Sequence, residues 1–424
     1  MARENLNLYE LDVTDPASLQ NFVLNLRAEF DAHDHDGVNS RAFQTLIAET
    51  LVGRTAIIGG YRLFEATVGP DSADFKSVAA ALAAGKRRIF VRNGTYTNEP
   101  EWNITSNNVI IQGETLGGVS ITFGSSSNSR GIYINASRCT LENLQLTAYS
   151  PTQHDLIVFG TSAIYPVLRN LICSAIYGKI FNNSNSSTLL YGLFDTIQIS
   201  LAAITDATYA KGFYQLANCL IVNCVFLMSF NTSGYNVVES CMNSTFVGCT
   251  FRMDDAQANE FTIYNSSTCV FQGCSFRVYQ IKCDGYFNGC IIASNGQTPS
   301  GHLVQITAAA VQFNNNQISG ANSINIFLIS AANVQANNNF FSGGKDMVFE
   351  PSGSQVLGIQ FCNNQWVSSY TTAAIDLRLG SVGHTTDNAN IAYNIIRNNS
   401  NSFTPTITNN SANCNVTGNQ LIKG

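Results

Sequence analysis

The hexapeptides FVGCTF (246–251) and FQGCSF (271–276) stand 25 residues apart and differ at only two positions. They share a pattern: apolar, any, Asn or Gly, small or apolar, any, apolar. Upstream it reads LENLQL from 141, LRNLIC from 168, FDTIQI from 194 and IVNCVF from 221. Downstream it reads FNGCII from 287, FNNNQI from 313, ANNNFF from 336, FCNNQW from 361, AYNIIR from 392 and VTGNQL from 416. The mean spacing is 25 residues, with one short step of 16 between 271 and 287.

Each copy alternates apolar residues with period two and is bounded by Asn, Gly and Ser, which is strand chemistry. A strand recurring at a fixed period is the signature of a solenoid, each coil burying its apolar face against its neighbours. About twelve coils at the ~4.8 Å strand spacing would make a rod of roughly 55–60 Å. The 16-residue step is short for a three-strand coil and suggests a misregistered copy there.

The repeat accounts for the cysteines. The fourth pattern position holds Leu144, Leu171, Ile197, Cys224, Cys249, Cys274, Cys290, Asn316, Asn339, Asn364, Ile395 and Asn419. Residues at one repeat position stack, so the four cysteines should form a column of small buried groups. Asn316, Asn339 and Asn364 should continue it as an amide ladder. The chain has no CxxC pair, which argues against zinc-finger or redox motifs.

Composition narrows the function. Charged residues are 12% of 424, about half the usual ~25%. The formal charge of -6 argues against nucleic acid, which needs a basic face. No run of 18 apolar residues exists, so no membrane insertion is expected. The opening MARENLNLYELDVTD has no apolar core, so no signal peptide is expected either.

ADFKSVAAALAAGKRRIFVRNGTYT (73–97) reads as an entry to the solenoid. Asp74 or Ser72 can cap a short helix with Phe75, Val78 and Leu82 on one face, and Gly85 stops it. Such a helix would cover the open edge of the first coil. This run together with the repeats resembles the pectin-lyase-like right-handed parallel β-helix superfamily. The expected fold is therefore all-β: a right-handed parallel β-helix of about twelve coils with a short helical N-terminal attachment segment. The expected divisions are 1–67 for attachment, 68–100 for the cap and 101–424 for the solenoid. The superfamily hosts lyases, hydrolases, esterases and non-enzymatic adhesins, so the resemblance does not choose an activity.

Before the cap, Asp15-Pro16 opens a helix carrying Leu19, Phe22, Val23, Leu26 and Phe30 as one apolar stripe. So small a segment cannot bury that stripe by itself and calls for a partner. FDAHDHDGVNSRAF (30–43) follows. As an EF-hand it fails, because Phe43 would stand where a carboxylate is needed. Its plain reading is a polar connector with a turn at Asp36-Gly37. The helix with the H-x-H-D-G-x-x-S run resembles linker regions of bacteriophage tail spikes and tail fibres. That resemblance implies a homotrimer, attachment to a particle or baseplate protein through residues 1–60, and a virion location after assembly in the cytoplasm. It also implies His33 and His35 as ligands of a transition metal, iron, shared around a trimer axis. No other cofactor is required.

Within the solenoid, carbohydrate cleavage would need paired carboxylates. Glu260 and Asp284 lie 24 apart, and Glu350 and Asp376 lie 26 apart, each near one coil. The alternative for both pairs is solubilising loop charge. Tyr264, Tyr286, Trp366 and Tyr370 are candidates to stack on glycan faces. By resemblance the expected function is a non-enzymatic tail-spike or fibre protein that attaches to host surface polysaccharide. A polysaccharide depolymerase, either glycoside hydrolase or lyase, is the first alternative. A purely structural subunit is the second.

Overall fold

The computed structural model describes residues 57–58, 61–62 and 64–424, apart from 72, 125–129, 149–154, 176–177, 185–189, 203–210, 230–234, 254–259, 265, 267, 298–300, 322–323, 351–355, 372, 381–385, 401–402 and 411–412. The helix expected after Asp15 and the His33–His35 motif lie outside the described residues.

The chain winds as a right-handed parallel β-helix. Each coil contributes strands to three stacks, and strands in successive coils pair in parallel. The first stack takes pattern positions one and two, for example Thr245–Val247 and Val270–Gln272. The second takes positions five and six, for example Thr250–Met253 and Ser275–Val278. The third is a thirteen-stranded sheet running from Trp102–Ile104 to Thr406–Asn409. Twelve inter-strand steps of ~4.8 Å give it a length of about 58 Å.

The third pattern position sets the corner between the first two stacks. Asn143, Asn170, Thr196, Asn223, Gly248, Gly273, Gly289, Asn315, Asn338, Asn363, Tyr393 and Gly418 all hold it, with φ between 51° and 64°. Asn and Gly dominate because L side chains otherwise clash in this left-handed region.

The fourth position points inward from that corner and must satisfy a buried carbonyl of the coil before it. Where it is Cys, the thiol does so: Cys249 Sγ donates to the Ile221 carbonyl at 3.5 Å and Cys274 Sγ to Phe246 at 3.4 Å. Where it is Asn, the same bond is made by the amide, Asn339 Nδ2 to the Phe313 carbonyl at 2.8 Å. The amides then bond each other. Nδ2 of Asn316, Asn339, Asn364 and Asn394 donates to Oδ1 of the next Asn at 3.1, 3.0, 3.0 and 2.9 Å, ending at Asn419. Each Oδ1 also accepts the backbone N–H of the preceding member, as Asn364 Oδ1 does from Asn339 at 2.7 Å. The amide ladder therefore runs through Asn394, not Ile395. The copy expected at 392 begins one residue earlier, with Ile391 paired to Phe361. A one-residue slip in a strand exchanges inside for outside, and Ile395 is accordingly the exposed neighbour.

The 16-residue step is a real coil. Phe271 pairs with Phe287 in register, and the coil is short because Gln280–Cys283 follows Ser275–Val278 with a single residue between. All twelve cysteines are free thiols, ten of them buried. Burial pushes the Cys219 and Cys269 thiols up to about 12, so both remain protonated. Phenylalanines fill the core in parallel stacks: Phe226, Phe251 and Phe276 stand at centroid distances of 4.4 and 4.8 Å, and Phe246, Phe271 and Phe287 at 4.7 and 4.8 Å.

At the N-terminal end, α1 (Val78–Ala83) packs Val78 and Ala81 inward over the first coil. Its cap is Ser77, whose Oγ accepts from the Ala80 N–H at 3.1 Å, rather than Asp74 or Ser72. Asp74 instead accepts from the Thr67 N–H and hydroxyl at 2.8 and 3.0 Å, tying the approach to the helix onto the first strand.

Removing an interior amide from the ladder strands a carbonyl and an N–H at once. Asn364→Ala is expected to lower the unfolding free energy by about 3 kcal/mol, since each unsatisfied buried polar group costs ~1–3 kcal/mol. Cys249→Ala, which strands one weak-donor partner and leaves a small void, should cost roughly 1–2 kcal/mol. Denaturant titration followed by circular dichroism would read the difference, and equal losses would refute the ladder's role.

Candidate functional site

The third stack is where charge collects. Its leading column in the C-terminal half aligns His302, Asn325, Asp346, Asp376 and Thr406 as direct partners on five successive coils. Asp346 and Asp376 are thus paired carboxylates one inter-strand step of ~4.8 Å apart at Cα.

Their surroundings differ. Asp376 Oδ1 accepts hydrogen bonds from the Thr406 hydroxyl at 2.8 Å and the Thr408 hydroxyl at 3.0 Å. Its Oδ2 faces Arg378 Nε at 3.5 Å. All of these are interactions an ionised carboxylate makes well. Asp346 is half-buried, and burial raises its pKa; Arg378 and Lys345 oppose the rise, while the Asp376 charge adds to it. Two carboxyl groups side by side in different surroundings, one half-buried and one held by two hydroxyls and an arginine, are an arrangement from which acid and base roles can be drawn.

His302 and Asn325 extend the column with unmet hydrogen-bonding capacity. His302 Nε2 and Asn325 Oδ1 are buried and have no hydrogen-bond partner. Burial holds the imidazole down to about 4, against the Glu350 charge, which favours protonation. A neutral imidazole with an open nitrogen, two strand steps from Asp346 along the same column, is poised to meet a polar group not supplied by the chain.

The sequence-derived candidates divide. Asp376 belongs to this column, but its partner is Asp346, 30 residues away, not Glu350, which follows the Asp346–Phe349 strand and acts through its charge on His302. Glu260 pairs in register with Gln280, not with Asp284. Asp284 is 6% exposed and accepts the Ser266 N–H at 2.5 Å. It closes the corner where Ser244 and Ser266 cap the coils before it, a structural place. Burial raises its pKa.

The aromatic candidates do not share a surface. Trp366 is 1% exposed and lies in the core beneath Phe341, its Nε1 donating to the Gly343 carbonyl at 2.9 Å, so it offers no face to a sugar. Tyr370 packs partly on the core. Tyr264 is exposed at the end of a third-stack strand. Tyr286 lies on the first stack, in an open depression of about 510 Å³ with Gln312 and Asn314. Among the described residues no group of three His, Cys, Asp or Glu side chains is arranged to hold a metal ion.

No protein-family description matches the chain, and no curated protein does. Solved structures do match. One is a variant of the catalytic domain of GH87 alpha-1,3-glucanase in complex with nigerose, 14% identical over 83% of this chain and 68% of that one, with a TM-score of 0.48. Another is a mannuronic acid specific polysaccharide family 6 lyase enzyme from human gut microbiota, 13% identical over 75% of this chain and 76% of that one, TM-score 0.37. A third is pectin methylesterase in complex with hexasaccharide VII, 15% identical over 55% and 80%, TM-score 0.32. At these identities the likeness is one of coil architecture, and each role assigned below comes from this chain's own geometry.

His302 gives the site a pH signature. Its folded pKa of about 4 lies below the unfolded value near 6.5, so its contribution to stability is full above that value and is lost as pH falls towards 4. Thermal unfolding followed between pH 7 and 4 should show a fall in Tm that is smaller in His302→Gln. An unchanged pH profile in that variant would mean the imidazole is not held neutral.

Proposed function

We propose that this β-helix cleaves glycosidic bonds in a polysaccharide, with Asp346 and Asp376 as its paired carboxyl groups. The observation that carries the reading is their register: two carboxylates side by side on adjacent coils, one raised in pKa by burial and the other held by two hydroxyls and an arginine.

In this reading Asp346, protonated, gives its proton to the glycosidic oxygen as the bond to the anomeric carbon breaks. Asp376, ionised, attacks that carbon and forms a glycosyl ester. Asp346, now a carboxylate, takes a proton from the incoming water, which displaces Asp376 and returns both groups to their starting states. The one-step spacing of the two strands suits this retaining course, for which carboxyl groups stand ~5–5.5 Å apart, better than an inverting one at ~6.5–9.5 Å. His302 and Asn325, with their open Nε2 and Oδ1, would hold sugar hydroxyls on the side of Asp346 away from Asp376.

The depolymerase alternative thus takes precedence over a purely adhesive protein. A particle location, a homotrimer and iron at His33 and His35 concern residues 1–56 or other chains, and they stay proposals of the tail-spike resemblance.

The test is release of reducing ends from a panel of polysaccharides. Asp346→Asn and Asp376→Asn should each lower the rate at least about 100-fold, the range of acid–base contributions, with the β-sheet circular dichroism unchanged. Glu260→Gln, Glu350→Gln and Asp284→Asn should keep most of the rate, Asp284→Asn at reduced Tm. Full activity in both the Asp346 and Asp376 variants would refute the assignment.

A further inference from the structure

The same sheet carries a second cluster of ionisable groups, seven coils nearer the N-terminus, at ~34 Å from Asp346 by strand spacing. Arg130 and Asp155 are direct partners, as are Lys179 and Lys211, and Asp155 Oδ1 joins the two pairs by accepting the Lys179 backbone N–H, so the four lie on successive coils. Tyr133, Val158, Asn182, Tyr214 and Glu239 form the adjacent column, three positions along. Nothing in the carboxylate pair's chemistry uses these groups.

Most of their charges are already matched. Glu239 pairs with the Lys211 ammonium, which is nearly buried. Glu101 pairs with Arg130 at 2.7 Å, and the guanidinium lies 3.9 Å above the Tyr133 ring. Asp155 is occupied at both oxygens: Oδ1 accepts the Lys179 N–H at 2.8 Å and Oδ2 accepts Asn182 Nδ2 at 2.6 Å.

Two groups are left over. The Lys179 ammonium rests on the face of Tyr214, 4.0 Å from the ring centroid, and among the described residues it has no carboxylate in ion-pair contact. Its pKa is lowered by burial, with Asp155 and Glu239 pulling it back up. An oxyanion brought to it would relieve that penalty. The second is Asn182. It is 9% exposed, and its orientation is fixed because only Nδ2 can donate to Asp155; its Oδ1 is left buried without a partner. That oxygen calls for an O–H donor. A ligand that satisfies both groups presents an oxyanion and a hydroxyl within a few ångströms. An acidic sugar residue does this, with a carboxylate or sulfate for Lys179, which the Tyr214 ring holds in place, and a hydroxyl for Asn182.

We propose that Lys179, Asn182 and Tyr214 form an anchoring site for an acidic sugar residue, so that the polysaccharide this chain acts on is anionic. The site binds a part of the polymer remote from the bond being cut, and it rests on the glycan-cleaving reading only for its consequence, not for its binding.

The test separates the two. Binding is measured by calorimetry on the full chain carrying Asp376→Asn, which prevents turnover. The probes are a galacturonic acid hexamer, its fully methyl-esterified neutral form, a sulfated neutral hexamer, and sodium sulfate alone. The acidic hexamer, the sulfated hexamer or both should bind at least about ten-fold tighter than the neutral form, as one charge-assisted hydrogen bond allows. Which of the two is preferred identifies the oxyanion. Lys179→Gln should remove that preference and most of its salt dependence while leaving neutral binding unchanged, and Lys179→Arg should retain it. Equal affinity for neutral and acidic forms, binding of sodium sulfate as tight as that of the acidic hexamers, or an unaffected Lys179→Gln variant would overturn the proposal. Anionic binding without release of reducing ends by the unsubstituted chain would uphold this site and sink the hydrolytic reading. Cleavage of neutral glycans without anionic preference would do the reverse.

Discussion

One hydrogen bond recurs through the solenoid: the donation from the fourth pattern residue to the first-position carbonyl of the coil before. Thiols make it from Cys224 to Cys290 and amides from Asn316 to Asn419. A tight corner turns the carbonyl away from the inter-strand ladder and into the core, where an unpaired oxygen would be costly. From Cys224 onward a small inward-pointing donor stands beside the left-handed residue that makes the corner. The first, third and fourth pattern positions are therefore one constraint, and the parallel register of the first two stacks follows from meeting it coil after coil. Leu144, Leu171 and Ile197 fill the same place without a donor, in coils where the first and second stacks form single long strands such as Thr140–Ala148 and Val167–Ala175.

The fold was legible because this constraint repeats with little change in length. FVGCTF and FQGCSF expose the corner, the inward donor and the two flanking core residues in six letters. The same pattern, applied strictly, would have placed Trp366 correctly: it occupies the sixth position, which is buried in every copy before the last. Reading it as a surface aromatic set residue type above register. The slip at 392 has a related cause. Tyr393 takes the left-handed place held elsewhere by Asn, Gly or, once, Thr, so the Asn that follows was mistaken for the corner residue.

The site was only half legible, and sequence separation is the reason. Partners on adjacent coils were sought near 25 residues, which favoured Glu350 with Asp376. The actual partner of Asp376 is 30 residues back, and Lys179 and Lys211 are 32 apart. Connections from the second stack to the third range from one residue, between Val278 and Gln280, to eight, between Ala202 and Lys211. Average period therefore predicts the first two stacks and fails on the third. A search for carboxylates at the start of each third-stack strand, whatever its spacing, would have found Asp155, Glu260, Asp346 and Asp376, with only the last two on adjacent coils.

This uneven variation bears on where chemistry can reside. A corner of fixed length, with an inward donor from Cys224 onward, leaves little freedom on the first two stacks, and their few outward charges include Arg169, matched by Glu142 at 2.9 Å. The third stack carries no such ladder. Its strands begin after connections of any length, so the leading column can accept His302, Asp346, Asp376, Lys179 or Lys211 without disturbing the core register. Half-burial there is also what separates the behaviour of otherwise similar groups: Asp346 is raised by desolvation, while Asp376, one coil on, is supported by Thr406 and Thr408. The division of labour is physical. Two stacks and their shared corner hold the register, and the third uses that register to bring ionisable groups, distant and irregularly spaced in sequence, to within one strand step of each other.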